Sequence, residues 1–160
     1  LQPCGMAKSQ FDILKPSIRL LNEIEDIIPK LSRKYNINIG KGFGKCYIND
    51  NTTHREFHLL PCKAGITQIS IRSNGDVYPC NALEIYMGNI FKSDIDYILE
   101  RSEGAQLIHR ISKEKISTHT ICANCKHNRN CTGGCRGVAY GETGDIYHPD
   151  IYCDQLSTCK

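Results

Sequence analysis

The sequence predicts an α+β fold, in which a small antiparallel hairpin sheet is surrounded by peripheral helices and cysteine-bearing loops. Three observations support this class. A helical pattern begins near Ser17, an Asn74-Gly75 turn lies between two strand-like runs, and four cysteines occur within the fourteen residues from Cys122 to Cys135. With an apolar content of 40% and no Trp in 160 residues, the chain can bury only a moderate core. We therefore expect a bound metal or covalent cross-links to contribute to the stability of the fold.

The first strong pattern is an amphipathic helix over about 17–35. Its apolar stripe repeats at steps of three or four and comprises Ile18, Leu21, Ile24, Ile28, Leu31 and Tyr35. Charged residues lie off the stripe, so we expect one face to pack on a core. Residues 36–39 alternate as a short strand would. Glycines at 40, 42 and 44 then predict a loop or linker over 40–60.

A β-hairpin is predicted around Asn74-Gly75. Residues 66–72 and 76–78 read as its two strands, and Asn-Gly between such runs is a strong hairpin signal because both residues tolerate positive φ. Cys62 lies before the hairpin and Cys80 after it. Because paired strands bring their outer ends together, the hairpin predicts that these two cysteines are close.

Helical signals follow the hairpin. Ser93 reads as an N-cap, with Asp96 three residues later, and a second helical piece covers 105–111. Residues 136–140 are expected to be helical as well. A loop with Gly141, Gly144 and Pro149 then delivers Cys153.

The segment from Cys122 to Cys135 cannot fold around a core of its own, since Ala123 is the one apolar residue between its cysteines. Its shape must therefore come from what the sulfurs hold. Gly133 and Gly134 allow the backbone to re-aim the next thiol. A zinc knuckle, a disulfide framework and an iron–sulfur loop are the three candidate explanations.

Seven cysteines form a frame that discriminates among these explanations. Cys62 and Gly75-x4-Cys80 are followed by Cys122-x2-Cys125-x5-Cys131-x3-Cys135 and then by Cys153. This frame closely resembles the SPASM domain of radical S-adenosylmethionine enzymes that modify peptides and proteins. The flanking residues agree: Val77-Tyr78-Pro79-Cys80, Met87-Gly88-Asn89-Ile90, Gly133-Gly134-Cys135-Arg136 and Gly144-Asp145. The resemblance covers roughly 60–155.

The resemblance implies two 4Fe–4S clusters in this chain, held by cluster-binding loops. Cys62, Cys80 and Cys135 would ligate the first cluster, and we call them the first cysteine set. The second cysteine set, which would ligate the second cluster, comprises Cys122, Cys125, Cys131 and Cys153. Thiolates are the ligands that such clusters use. Cys4 and Cys159 are not expected to be ligands, and His109, His119, His127 and His148 are expected to be solvated or packed.

The first cluster lacks a fourth ligand among the seven cysteines. Cys46, sixteen residues before Cys62 on a glycine-rich loop, is the foremost candidate. An open iron site that binds substrate and ligation by His54 or His58 are the alternatives. Arg136 beside Cys135 is either a counter-charge to a cluster or a surface arginine.

The resemblance also implies domain organisation and activity. Residues 1–45 would be the end of an upstream (β/α) barrel, its last strand and helix, and residues 46–160 the SPASM domain. The barrel would hold S-adenosylmethionine and a third 4Fe–4S cluster. The radical-generating Cys-x3-Cys-x2-Cys loop is absent here, so no catalytic residue is assigned and the chain alone should be inactive. Asn81 stands where sulfatase-maturing relatives carry an Asp, which disfavours sulfatase maturation because an amide has no useful pKa.

The expected partners are a peptide or protein substrate, the barrel of the same polypeptide and an electron-donor protein. The formal charge of +3 predicts no nucleic-acid partner, since thiolate ligation would remove it. No apolar run approaches the roughly 20 residues of a membrane span. The chain begins with Leu1 and shows no signal peptide. We therefore expect a C-terminal part of a cytoplasmic enzyme. A non-catalytic zinc- or cluster-stabilised peptide-binding module is the alternative.

Overall fold

The structure, a computed structural model, describes residues 9–37, 62–113, 121–125 and 133–153. Short helical and strand elements are joined by turns in these ranges. The helices are α1 (Phe11–Leu14), α2 (Ile18–Tyr35), α3 (Ile95–Glu100), α4 (Glu103–Lys113) and α5 (Arg136–Thr143), with a 3-10 turn at Ile121–Asn124. The strands are β1 (Ser70–Ile71), β2 (Asp76–Tyr78) and β3 (Gly88–Asn89). No helix within the described ranges is long and apolar enough to cross a membrane.

Helix α2 begins and ends close to where the sequence predicts. The Ser17 hydroxyl accepts a hydrogen bond from the Leu20 amide at 3.2 Å and so caps the first turn. Asn36 closes the helix in the left-handed conformation with φ 51°, so the strand predicted from residue 36 is wrong at its first position. Leu21 packs with Tyr152, whereas Leu31 and Tyr35 are exposed. The core-facing surface of α2 is therefore shorter than its apolar stripe.

The hairpin is confirmed and forms part of a three-stranded antiparallel sheet in the order β1-β2-β3. Ser70 pairs with Tyr78, and Asp76 pairs with Asn89 of the unpredicted strand β3. The Gly75 amide bonds the Arg72 carbonyl at 2.8 Å, and Gly75 has φ 85°. The connection is thus a tight turn followed by one left-handed glycine, rather than a turn with positive φ at both Asn74 and Gly75.

The first strand is shorter than predicted because the chain turns at 65–67. Gly65 has φ 70°, and its amide bonds the carbonyls of Gln68 at 2.8 Å and Pro79 at 3.0 Å. A Cβ at this position would lie 2.8 Å from Ile108 Cγ2, so Gly65 is also needed for packing. This turn ties the segment after Cys62 to the residue before Cys80.

Two of the apolar clusters in the described residues lie beside the sheet and helices α3 and α4. One contains Ala64, Leu83, Ile85, Ile108, Ile111 and Ile146, and the other contains Val77, Met87, Ile98 and Ala105. Helix α4 confirms the helix predicted over 105–111. Helix α3 begins one residue later than predicted, because the Asp94 carboxylate, not Ser93, accepts from the Asp96 amide at 2.8 Å. The predicted boundary at 45 and 46 lies outside the described residues, and the barrel remains a prediction.

Candidate metal centre

Six of the predicted ligands lie in the described ranges: Cys62, Cys80, Cys122, Cys125, Cys135 and Cys153. Cys46 and Cys131 lie outside them, as do Cys4, Cys159, His54, His58, His119 and His127. Among the described residues, no three His, Cys, Asp or Glu side chains form a site for a single metal ion. The ligand assignments therefore remain predictions, and the structure supplies the surroundings of each thiol.

Within the first cysteine set, Cys80 is in electrostatic range of Cys135 and Cys62. Cys80 packs against the larger apolar cluster, and burial raises the pKa of its thiol. The backbone N–H groups of Ala82 and Leu83 donate to its sulfur and lower that pKa, whereas the charges of Cys135 and Cys62 raise it. A bound metal would lower the pKa of the Cys80 thiol, because its positive charge favours the thiolate. The three thiols are thus electrostatic neighbours.

The placement of Cys135 beside Cys80 depends on glycine packing. Gly133 and Gly134 have φ 79° and 77°, which redirects the chain just before Cys135 as the sequence predicts. Gly137, in the first turn of α5, packs directly on Ala82. A Cβ on Gly137 would lie 2.6 Å from the Ala82 Cβ and 2.8 Å from its carbonyl carbon. The close approach brings the start of α5 onto the loop that follows Cys80.

The described members of the second cysteine set form a buried cluster of their own. Cys122, Cys125 and Cys153 are 7%, 7% and 4% exposed, and among the described residues they form a cluster of three thiols. The Cys125 amide bonds the Cys122 carbonyl at 3.0 Å, which closes the Cys-x2-Cys turn. The Cys153 amide bonds the Asp150 carbonyl at 2.8 Å. Two short backbone turns therefore present the three thiols.

One contact joins the surroundings of the two sets. The Asp150 side chain is buried and lies directly over Gly134, where any Cβ would collide with its carboxylate. Asp150 precedes Cys153 in the chain, and Gly134 precedes Cys135. The loops that carry one ligand of each set are thus in contact.

Sequence reasoning missed several residues around the thiols. The Ala82 and Leu83 groups that donate to Cys80 are backbone amides, which no residue type marks in a sequence. The role of Gly137 can be recognised only once its contact with Ala82 is known. Asn81 is exposed, and the Ser70 hydroxyl donates to its side-chain oxygen at 2.6 Å. His109 and His148 are partly buried, and His148 Nδ1 lies 2.8 Å from the Pro149 carbonyl.

The donor chemistry fits an iron–sulfur centre. Each set supplies cysteine sulfurs, the first also supplies N–H groups directed at sulfur, and these are the features that bind such clusters and set their potentials. Iron–sulfur clusters carry one-electron chemistry.

Comparison with known proteins agrees with this chemistry. Residues 62–126 match the SPASM family, an iron-sulfur cluster-binding domain. That match includes Cys62, Cys80, Cys122 and Cys125, whereas Cys131, Cys135 and Cys153 follow it. No solved structure matches the chain.

Curated relatives are larger proteins. The AdoMet-dependent heme synthase of Methanosarcina barkeri is 30% identical over 92 residues, which are 58% of this chain and 25% of the relative. A cysteine-type anaerobic sulfatase-maturating enzyme of Clostridium perfringens is 28% identical over 89 residues, 54% of this chain and 23% of the relative. The heme synthase of Nitratidesulfovibrio vulgaris is 28% identical over 103 residues, 62% and 27% of the two chains. This chain spans about a quarter of their length. Over residues 62–126 the chain is therefore similar to the SPASM iron-sulfur cluster-binding domain, and its relatives include AdoMet-dependent heme synthases and a sulfatase-maturating enzyme.

Proposed function

We propose that this chain binds two 4Fe–4S clusters, one at each cysteine set. The observation that carries the proposal is the grouping of the described thiols. Cys62 and Cys135 are electrostatic neighbours of Cys80, whereas Cys122, Cys125 and Cys153 pack with one another. Cys131, and Cys46 as the fourth ligand of the first site, complete the proposed sets.

The two sites would play different parts because their exposure differs. Cys62 is exposed and Cys135 is partly exposed, so the first site faces solvent on one side. The second site is enclosed by buried thiols. We propose that the first site contacts a substrate or the barrel of the same polypeptide, and that the second exchanges electrons with a donor protein.

The parent activity we propose is modification of a ribosomally made peptide or protein, such as thioether or carbon–carbon cross-linking. The relative named as a sulfatase-maturating enzyme supports a protein substrate. Asn81, hydrogen-bonded to Ser70, offers no acid–base group and argues for a reaction other than sulfatase maturation.

A second candidate has support of its own. Two relatives are named as AdoMet-dependent heme synthases, which favours a role of the parent protein in haem synthesis. The full-length protein, reduced and supplied with S-adenosylmethionine, distinguishes the two. The candidate substrates are peptides encoded by small genes next to the gene of this protein, and haem precursors. Mass spectrometry of the products should show conversion of a peptide alone. Conversion of the haem precursor alone would replace the first candidate.

Iron and sulfide analysis after anaerobic reconstitution tests cluster binding. We expect about eight irons and eight sulfides per chain and absorption at about 400 nm, as two 4Fe–4S clusters require. Zinc without colour would instead support the peptide-binding module. The reconstituted chain should not cleave S-adenosylmethionine, and any 5′-deoxyadenosine would contradict this expectation.

Single Cys→Ala variants assign the ligands. Replacing Cys122, Cys125, Cys131 or Cys153 should remove about four irons and leave the paramagnetic signal of the first cluster unchanged. Replacing Cys62, Cys80 or Cys135 should remove the other four. Cys46→Ala should leave a labile or three-iron first cluster, because an iron without its thiolate is lost on oxidation. Cys159→Ala is the matched control and should retain both clusters.

A further inference from the structure

Arg136 is a buried cation next to a predicted ligand. Only 2% of the residue is exposed, which removes the surface-arginine alternative. Nη1 donates to the Ile146 carbonyl at 3.1 Å and to the His148 carbonyl at 2.7 Å, and Nη2 donates to the Gly133 carbonyl. These bonds fix the guanidinium plane, and an arginine remains charged in proteins. A permanent positive charge is therefore held rigidly inside the domain.

The groups whose charges act on this guanidinium are Asp150 and three cysteines from the two sets. Asp150 acts on it most strongly, followed by Cys62, Cys135 and Cys122. Burial lowers the pKa of Arg136, and these four groups raise it. Charge interactions strengthen as water is excluded, so a guanidinium here acts on its neighbours more than a surface one does.

One donor of Arg136 lacks an acceptor. Nε is buried and has no hydrogen-bond partner among the described residues, although buried N–H groups are nearly always paired. A sulfur of a bound cluster is an acceptor that would satisfy it. Leaving a buried donor unpaired destabilises a fold, because the N–H group loses its bonds to water and gains none in exchange. An arginine that only bound the three carbonyls would not need a buried, unpaired Nε–H group.

We propose that Arg136 is a positioning residue that holds a fixed positive charge and its Nε–H donor against the clusters, and so raises their reduction potentials. The effect is larger at the first site, which contributes two of the three neighbouring cysteines. The physical reason is that reduction adds an electron, and a nearby cation stabilises the more negative state. Hydrogen bonds to sulfur act in the same direction. The inference rests on the proposed binding of two clusters.

Redox titration of the loaded protein, followed by paramagnetic resonance, tests this role. In Arg136→Met the equilibrium constant for reducing the first cluster should fall at least about tenfold, a potential decrease of about 59 mV for one electron. The second cluster should shift in the same direction by less. Arg136→Lys keeps the charge without the planar donors, so its potential should lie nearer that of the parent. The control is Arg110→Met, an exposed arginine on α4, which should shift neither potential.

A measurement on the parent protein keeps the test decisive if Arg136→Met fails to load. With ¹⁵N-labelled arginine, pulsed resonance of the reduced protein should detect a nitrogen coupling to a cluster, and Arg136→Lys should abolish it. Unshifted potentials in a fully loaded Arg136→Met, or no coupling in the labelled parent, would overturn the inference. A parent chain that binds no clusters would overturn the proposed function instead.

Discussion

The two cysteine sets differ in what holds them in place. Around the first set, Cys80 rests on the larger apolar cluster, Gly65 is bonded to Pro79, and Gly137 packs on Ala82. The described thiols of the second set pack on one another, and two backbone turns present them. We therefore expect the first set to keep more of its arrangement without a cluster, and the second set to depend more on the group that its sulfurs would bind.

Removal of the metal should give the largest contrast between the two regions. Without clusters, the amides of Cys125 and Cys153 should lose at least about 100-fold of their protection from hydrogen exchange, because we expect the bonds from the sulfurs to the cluster to hold these turns. The Met87 amide, bonded to the Val77 carbonyl at 2.9 Å in the sheet, should change by less than about tenfold. Exchange measured by mass spectrometry on loaded and metal-free chains checks this. Equal losses in both regions would contradict the comparison.

Gly137→Ala should damage the first region specifically. The new Cβ would meet backbone and side-chain atoms of Ala82, and overpacking of this kind costs about 1–3 kcal/mol, more than the gain from replacing a helical glycine. We expect loss of iron from the first site and retention at the second. Gly144→Ala is the matched control, since that glycine ends the same helix with open space around it. Its left-handed conformation should cost about 1–2 kcal/mol without changing iron content. Equal iron loss in both variants would refute the packing argument.

The smallest expected effect lies in the hairpin, away from either site. Hydrogen bonding from Asn89 is the main cause that lowers the pKa of Asp76, and Asn74 adds to it. Because the folded pKa is lowered, the stabilisation is present above the unfolded value of about 3.9 and is lost as pH falls through the folded value. The difference in unfolding free energy between the parent and Asp76→Asn should be constant from pH 7 to about 4 and shrink below it.

Denaturant titrations across this pH range measure that difference. Asn89→Ala removes the main donor and should reduce the same acid dependence. If the difference in unfolding free energy grew toward low pH, the folded protein would raise the pKa of Asp76 instead of lowering it. Neither variant should alter iron content, because the hairpin turn lies at the far end of the sheet from Cys80.

Local signals in the sequence predicted the elements whose causes are local. Ser17 and the apolar stripe marked α2, and Gly75 marked the hairpin, because caps and turns depend on a few neighbouring residues. Strand β3 escaped prediction since Gly88 and Asn89 have no strand propensity and are paired only through Asp76 and Val77. The strand expected from residue 66 was interrupted by the bond from Gly65 to Pro79, which joins residues far apart in sequence.

In the candidate site, too, the features with local causes were predicted and those that depend on tertiary contacts were not. The cysteine spacing predicted which thiols are candidates, and the SPASM match bears out an iron–sulfur domain. No local pattern explained why Cys135 should belong with Cys80 in the first set, when Cys122 and Cys125 are closer to it in sequence. The fit of Gly137 on Ala82 supplies a physical reason, and it becomes visible only when two distant segments are placed together. The burial of Arg136 is likewise a tertiary property that spacing cannot reveal.

The contact between Gly134 and Asp150 has a consequence for protein engineering. Because the loop that leads to Cys135 rests on the loop that leads to Cys153, we expect that the two cysteine sets cannot be transplanted separately. A minimal scaffold that transplants only residues 62–113 would omit Cys135 along with the glycines that aim it. One that transplants only 121–153 would lack the Ala82 surface on which α5 rests. The smallest portable unit is the pair of sites together.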